Sequence, residues 1–117
     1  MSTNSIAVVT GAGSGIGKSI AESFAAQGTT VIAADLDLDA AKRTAEAAPA
    51  IVPMSVDVAD RATVDALRDA VTAEVGVPDI LVNAAGWDRT DQFLNATTEF
   101  AEKVVAINSV SYTHLTL

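Results

Sequence analysis

Short apolar runs rich in Val, Ile and Ala alternate with segments of helical periodicity along this chain of 117 residues. The runs lie at residues 6–10, 30–34, 51–56 and 80–83, and the helical segments at 16–27, 38–48, 61–75 and 98–107. The runs lack apolar–polar alternation, which is typical of parallel strands covered by helices on both faces. The pattern therefore predicts an α/β fold with half of a doubly wound parallel sheet.

The third helical segment carries the clearest boundary signals. Asp60 can cap its first turn, and Gly76 follows its end. One apolar stripe is formed by Val64, Leu67, Val71 and Val75.

Composition excludes several classes of function. The net charge of −8 disfavours binding to phosphate backbones or anionic lipid. Because the chain has no cysteine and one histidine, a disulfide framework, a thiolate metal site and a histidine metal cluster are excluded. No stretch has the length of a secretory or membrane-spanning segment, so a cytoplasmic location is expected.

A glycine-rich segment, Thr10-Gly-Ala-Gly-Ser-Gly-Ile-Gly17, lies where the first strand gives way to the first helix. Glycine permits a tight turn and removes the Cβ that would keep a pyrophosphate from the backbone. The helix that follows offers free N–H groups and the positive end of its dipole. The segment predicts a phosphate-binding turn, although an ordinary strand–helix turn is the alternative.

Asp35 supports the first interpretation, since it directly follows the second strand, eighteen residues beyond Gly17. A carboxylate there can accept hydrogen bonds from both hydroxyls of an adenosine ribose. It would repel a 2′-phosphate, and neither Ser14 nor Leu36 supplies a compensating cation, so NAD is predicted in preference to NADP. Asp37 and Asp39 are interpreted as surface carboxylates.

Four motifs in order resemble those of the short-chain dehydrogenases/reductases. They are the glycine turn, Asp35, Asp57-Val58 after the third strand and Asn83-Ala-Ala-Gly86 after the fourth. The resemblance covers residues 6–108 and implies the N-terminal half of a Rossmann-type doubly wound sheet, in strand order 3-2-1-4. It implies an NAD-dependent oxidoreductase that transfers hydride between NAD and a secondary alcohol or ketone.

The resemblance also assigns site residues. It places the cofactor against Thr10, Gly11, Ser14, Gly15, Ile16, Gly17, Asp35, Leu36, Asp57, Val58, Asn83, Ala84, Ala85 and Gly86. Ala84 stands where the family usually has a second Asn, which weakens any side-chain role there. Asn108 matches the Asn of the family's catalytic tetrad and is expected in the helix after the fourth strand. No metal is expected.

The family's Tyr-x-x-x-Lys pair is absent. Tyr112 is the chain's one tyrosine, Thr116 stands four residues later, and Lys103 is the last lysine. The family's chains are about twice this length, so the resemblance predicts a cofactor-binding half, residues 1–108, that is inactive alone. The outer edge of its fourth strand is expected to be unpaired. The complete parent is expected to be a homo-dimer or homo-tetramer.

The last residues depart from the family pattern. Val110-Ser-Tyr-Thr-His-Leu-Thr-Leu117 matches the translation of a common transposase sequencing adapter, and Ser109 can derive partly from it. Residues 109–117 are therefore expected to be a non-native tail.

Several functional alternatives remain open. Asn83–Asp88 and Asp35–Ala41 most resemble the branch that oxidises 2-hydroxycyclohexanecarboxyl-CoA and related hydroxyacyl-CoA thioesters. A 3-oxoacyl-carrier-protein reductase, a non-catalytic NAD-binding module and a methyltransferase are the alternatives.

Overall fold

A computed structural model describes residues 5–84 together with two short strands at 105–108 and 114–116. The strands are β1 (Ile6–Thr10), β2 (Thr30–Asp35), β3 (Ile51–Ser55), β4 (Ile80–Asn83), β5 (Val105–Asn108) and β6 (His114–Thr116). The helices are α1 (Gly15–Ala26), α2 (Leu38–Ala45) and α3 (Arg61–Glu74). The four predicted strands and first three predicted helices are confirmed, with ends that differ by at most three residues.

The strands form one sheet in the order β3-β2-β1-β4-β5-β6. Neighbours from β3 through β5 are parallel, and β6 pairs antiparallel with β5. The predicted order 3-2-1-4 is confirmed. Pro53 lies in β3, at one end of the sheet, where the lack of a backbone N–H is tolerated because one side of the strand has no neighbour in the sheet.

The helices cover both faces of the sheet. One buried cluster joins Val8, Ile32 and Leu81 of the strands to the α3 stripe of Val64, Leu67 and Val71. A second cluster, on alternate strand positions, joins Val9, Val31 and Val82 to Ala21 of α1 and extends to Ala45 of α2. Because side chains alternate between faces along a strand, burial on both faces accounts for the continuous apolar runs.

Two aspartates begin helices. Asp60 accepts a hydrogen bond from the Ala62 N–H at 3.0 Å, which confirms the predicted cap of α3. Asp37 accepts from the Ala40 N–H at 3.2 Å and caps α2 in the same way. Asp37 is exposed, as predicted for a surface carboxylate, and its side chain in addition satisfies a donor that the helix leaves without an acceptor.

Two expectations about the end of the chain are corrected. Residues 105–107, predicted as the end of a helix, belong to β5, which pairs with β4 from Ile80↔Val105 to Asn83↔Asn108. The outer edge of β4 is therefore paired and not open. The physical reason is that a strand next to β4 satisfies backbone groups that a helix at these positions would leave unpaired. The predicted boundary after Asn108 stays a prediction; β6 lies beyond it.

None of the helices in the described part of the chain is long and apolar enough to cross a membrane.

Candidate functional site

The carboxyl ends of the parallel strands bring the predicted site residues to one edge of the sheet. Thr10 ends β1 and is in register with Ala34 of β2 on one side and Asn83 of β4 on the other. Asp35 ends β2 and is in register with Ser55 of β3. Open α/β sheets bind ligands at this edge, where the strand order reverses.

The glycine turn connects this edge to α1. Gly11 and Gly15 adopt positive φ values of 69° and 60°. This left-handed backbone conformation favours glycine, because a Cβ would make it sterically costly. Gly17 has a different constraint, because a Cβ on it would collide with the carbonyl oxygen of Gly11. The absence of a side chain at Gly17 therefore lets the first turn of α1 lie directly against the loop.

Asp35 contacts the glycine turn directly. One of its carboxylate oxygens, Oδ2, accepts from the Gly13 N–H at 2.8 Å, and Oδ1 accepts from the Asp37 N–H at 2.9 Å. A carboxylate has about four acceptor positions, so two remain for other donors. A Cβ on Gly13 would lie 2.6 Å from the Ala40 Cβ and 2.8 Å from Asp35 Oδ2, so no larger residue fits between α2 and the carboxylate.

Two buried side chains join the ends of β1 and β4. The Thr10 hydroxyl donates to Asn83 Oδ1 at 2.9 Å, and both residues are buried. The Ala84 N–H donates to the Thr10 carbonyl at 3.2 Å, which extends the pairing by one residue. The structure thus places Asn83 and Ala84 beside the start of the glycine turn.

Thr44 was not singled out from the sequence. It is fully buried in α2, and its hydroxyl donates to the carbonyl of Ala12, in the middle of the glycine turn, at 2.8 Å. Neither a motif nor the helical periodicity indicates this contact, because it depends on how α2 packs against the loop.

Asp57 and Val58 follow β3 at the same edge. The Asp57 side chain accepts from the Ala59 N–H at 2.9 Å, and the backbone N–H of Asp57 donates to the Thr63 hydroxyl at 3.0 Å. Val58 is buried. The Val56 N–H donates to the Asp35 carbonyl at 3.1 Å, so the segments after β2 and β3 run side by side.

Large apolar side chains are exposed around this edge. Ile16, at the start of α1, is 59% exposed, and Leu36, next to Asp35, is 74% exposed. Aliphatic side chains left in solvent beside a polar turn are typical of a site that a partly apolar ligand covers.

These features fit a dinucleotide. A Cβ on Gly15 would meet no atom within 4 Å, so the turn is open to a pyrophosphate at that point. The start of α1 follows the turn, and a carboxylate lies beside it. The residues that would hold the cofactor are therefore the turn and Asp35, with Ile16 and Leu36 against its apolar parts.

Three predicted site residues follow Ala84 in the chain. Ala85 and Gly86 lie outside the described residues. Asn108 ends β5 at the carboxyl edge of the sheet, where its backbone is in register with Asn83. The prediction that Asn108 lies in a helix was therefore wrong. No group of three or more metal-ligating side chains occurs within the described residues.

An apolar groove of about 530 Å³ lies away from the glycine turn, between β3 and α3, with Leu38 of α2 in its lining. Its lining includes Val52, Met54 and Leu67 but no residue of the turn. We therefore place the candidate site at the carboxyl edge of the sheet, not in this groove.

Comparison with known proteins agrees with the geometry. The family model described as short chain dehydrogenase matches residues 5–117. A galactitol 2-dehydrogenase from Agrobacterium fabrum is 42% identical over 106 residues, which are 90% of this chain and 41% of the relative. The chain spans 18–41% of the length of the first curated relatives it matches.

Two solved structures are similar to the chain. A 3-ketoacyl-(acyl-carrier-protein) reductase from Brucella melitensis complexed with NADH is 39% identical, with a TM-score of 0.64 over 67% of this chain and 32% of that one. An actinorhodin polyketide ketoreductase with NADPH is 33% identical, with a TM-score of 0.67 over 74% of this chain and 35% of that one.

Proposed function

The chain belongs to the short-chain dehydrogenase family, and on that premise we propose that it is the NAD-binding half of an oxidoreductase acting on a secondary alcohol or ketone. One observation carries this proposal: the Asp35 carboxylate lies 2.8 Å from the Gly13 N–H, so a ribose-binding group and a phosphate-binding turn form one site. NAD, when bound, supplies the chemistry of hydride transfer.

The residues of the chain bind and orient the cofactor. The turn and the first N–H groups of α1 favour an anionic pyrophosphate. The remaining acceptor positions of Asp35 suit the two hydroxyls of an adenosine ribose. Asn83 and Ala84 hold the end of β4 against Thr10, which supports the adjoining wall of the site.

We propose NAD in preference to NADP on electrostatic grounds. A 2′-phosphate on the ribose would approach the Asp35 carboxylate, and the exposed residue beside it, Leu36, carries no charge. Two like charges at close range in a partly buried site disfavour binding by at least about 1.4 kcal/mol, a tenfold change in Kd. One similar structure contains NADH and another contains NADPH, so family membership alone does not decide between the two cofactors. The preference of this chain for NAD or NADP therefore depends on its own residues.

Calorimetric titration of the chain with NAD, NADP and S-adenosylmethionine tests this proposal. We expect NAD to bind at least about tenfold more tightly than NADP, and Asp35→Ser to reduce that ratio to about one. Asp39→Ser is the matched control, since Asp39 is an exposed carboxylate in the first turn of α2. Equal affinity of the unchanged chain for NAD and NADP would refute the assignment, and binding of S-adenosylmethionine alone would favour a methyltransferase.

We further propose that the 117 residues bind NAD without catalysing turnover by themselves. The family's Tyr-x-x-x-Lys pair is absent from them, since Thr116 and not a lysine stands four residues after Tyr112, and in this family that lysine lowers the pKa of the tyrosine that transfers the proton. An assay for NADH production from secondary alcohols checks this, and NAD-linked turnover by the chain would contradict it.

A secondary alcohol or ketone is the proposed substrate class, and the relative named as a galactitol 2-dehydrogenase supports it. The hydroxyacyl-CoA branch stays a prediction from residues 35–41 and 83–88. A non-catalytic NAD-binding module is the second candidate, which the absence of Tyr-x-x-x-Lys favours. Comparing NAD-linked turnover by the chain with turnover by the continuous gene would separate the two.

A further inference from the structure

Both ends of the peptide unit between Ala12 and Gly13 are held by side chains. Its carbonyl oxygen, on Ala12, accepts from the Thr44 hydroxyl at 2.8 Å. Its N–H, on Gly13, donates to Asp35 Oδ2 at 2.8 Å. Rotating this peptide plane would break two hydrogen bonds that point in opposite directions, so the two side chains together set its orientation.

Thr44 makes a contact that is unusual for a threonine in a helix. A helical threonine commonly donates its hydroxyl to the carbonyl four residues earlier, as Thr72 of α3 does to Arg68 at 2.8 Å. Thr44 instead donates out of its helix to a loop 32 residues earlier in the chain. Since its side chain is fully buried, this hydroxyl fixes the turn and is not a surface feature.

Other contacts in the middle of the turn come from the same two elements, β2 and α2. The Ala12 N–H donates to the carbonyl of Ala34 at 3.1 Å, so Ala12 is bound through both its polar atoms. Asp35 Oδ1 accepts from the Asp37 N–H, at the cap of α2. The middle of the turn is therefore held by β2 and α2, which follow it in the chain, rather than by residues of the motif itself.

We propose that Thr44 is a positioning residue that holds the glycine turn in its phosphate-binding conformation. This rests on the proposed function, because the turn must be the site that receives a pyrophosphate. Without the hydroxyl, the buried Ala12 carbonyl loses its donor and the peptide plane can turn away, which also frees Gly13 from Asp35. If the binding conformation falls from nearly full to a minor population, the apparent Kd rises by the inverse of that population.

Thr44→Val tests the role with little change of shape, since valine keeps the branched side chain and removes the hydroxyl. Calorimetry on the full chain, well below its unfolding temperature, would compare ADP with adenosine. We expect ADP to bind roughly 5–10-fold more weakly to Thr44→Val, with adenosine changed by less than about twofold. Thr44→Ser should restore ADP affinity to within about threefold of the unchanged chain, because it keeps the donor.

Thr72→Val is the matched control, because it removes a hydroxyl bond of the same length from an exposed helical threonine away from the turn. It should leave both affinities unchanged. Equal ADP affinity for Thr44→Val and the unchanged chain would overturn the inference, as would equal losses for ADP and adenosine. If the unchanged chain binds neither ADP nor NAD, the proposed function fails instead.

Amide hydrogen exchange on the unchanged chain gives a second measurement that needs no variant. With its N–H held by Asp35, Gly13 should exchange at least about tenfold more slowly than an unprotected amide, without any ligand. Exchange of the Gly13 amide at the unprotected rate would overturn the inference even if Thr44→Val cannot be folded.

Discussion

Replacing Gly17 by alanine should destabilise the protein, although alanine normally stabilises a helix. In an exposed helix interior the change favours folding by about 1 kcal/mol. Here the new Cβ would lie 2.7 Å from the Gly11 carbonyl carbon and 3.1 Å from the Ala12 Cα, and it would collide with the Gly11 oxygen. These contacts are backbone atoms, which cannot move without displacing the whole turn.

The magnitude follows from comparing the two effects. Ordinary contacts between carbon atoms are about 3.5–4.0 Å, so the turn and α1 must separate by roughly 1 Å. Overpacking of this kind costs about 1–3 kcal/mol and sometimes more. Because the contacts are with backbone atoms, we take the upper value of about 3 kcal/mol, which exceeds the helical gain by about 2 kcal/mol. We expect the free energy of unfolding to fall by about 2 kcal/mol, and the melting temperature by about 10 °C for a domain of this size.

Thermal and urea unfolding followed by circular dichroism would measure this loss. Gly28→Ala is the matched control, because it removes the same flexibility from the unfolded chain. Gly28 has φ of 91°, but a Cβ on it would have no atom within 4 Å, so only about 1 kcal/mol of backbone strain is expected there. NAD affinity should fall for Gly17→Ala and stay unchanged for Gly28→Ala. A Gly17→Ala variant at least as stable as Gly28→Ala would refute the steric reasoning.

Two further substitutions and one surface control test the fold. Asp60→Ala should lower the free energy of unfolding, measured in urea, by about 1 kcal/mol, because the Ala62 N–H loses its hydrogen-bond acceptor. An unchanged free energy of unfolding would mean that water replaces this acceptor fully. Leu67→Ala should cost about 2–4 kcal/mol by the same measurement, because Leu67 is 4% exposed within the cluster under α3. Val77→Ala, at a side chain 55% exposed, should change stability by less than about 0.5 kcal/mol, and a comparable loss at both positions would contradict this assignment of the core.

Much of the fold could be predicted from local sequence patterns. Continuous apolar runs indicate strands buried on both faces, and Asp60 before the Val64–Leu67–Val71 stripe indicates the start and the buried face of α3. The glycine spacing and Asp35 indicate which edge of the sheet holds the site. These signals are readable because backbone geometry, periodicity and capping depend on neighbouring residues.

The region after β4 was harder to predict, for a physical reason. Residues 104–107 are apolar and suit a helix or a strand equally by composition, so periodicity alone does not decide between them. The pairing of residues 105–108 with β4 depends on an edge formed by residues more than twenty positions earlier. Asn108 accordingly ends a strand beside Asn83, where the family pattern predicted a helix.

By itself, the sequence determined the two-faced burial and the position of the glycine turn, because each follows from residues close together in the chain, whereas the strand order was expected from the family resemblance. Only the tertiary structure decided what holds that turn in place. Thr44 and Asp35 lie 32 and 22 residues from the groups they bind, and no local pattern marks the threonine. Their bonds to one peptide unit exist because the packing of α2 and β2 brings a hydroxyl and a carboxylate to its opposite ends.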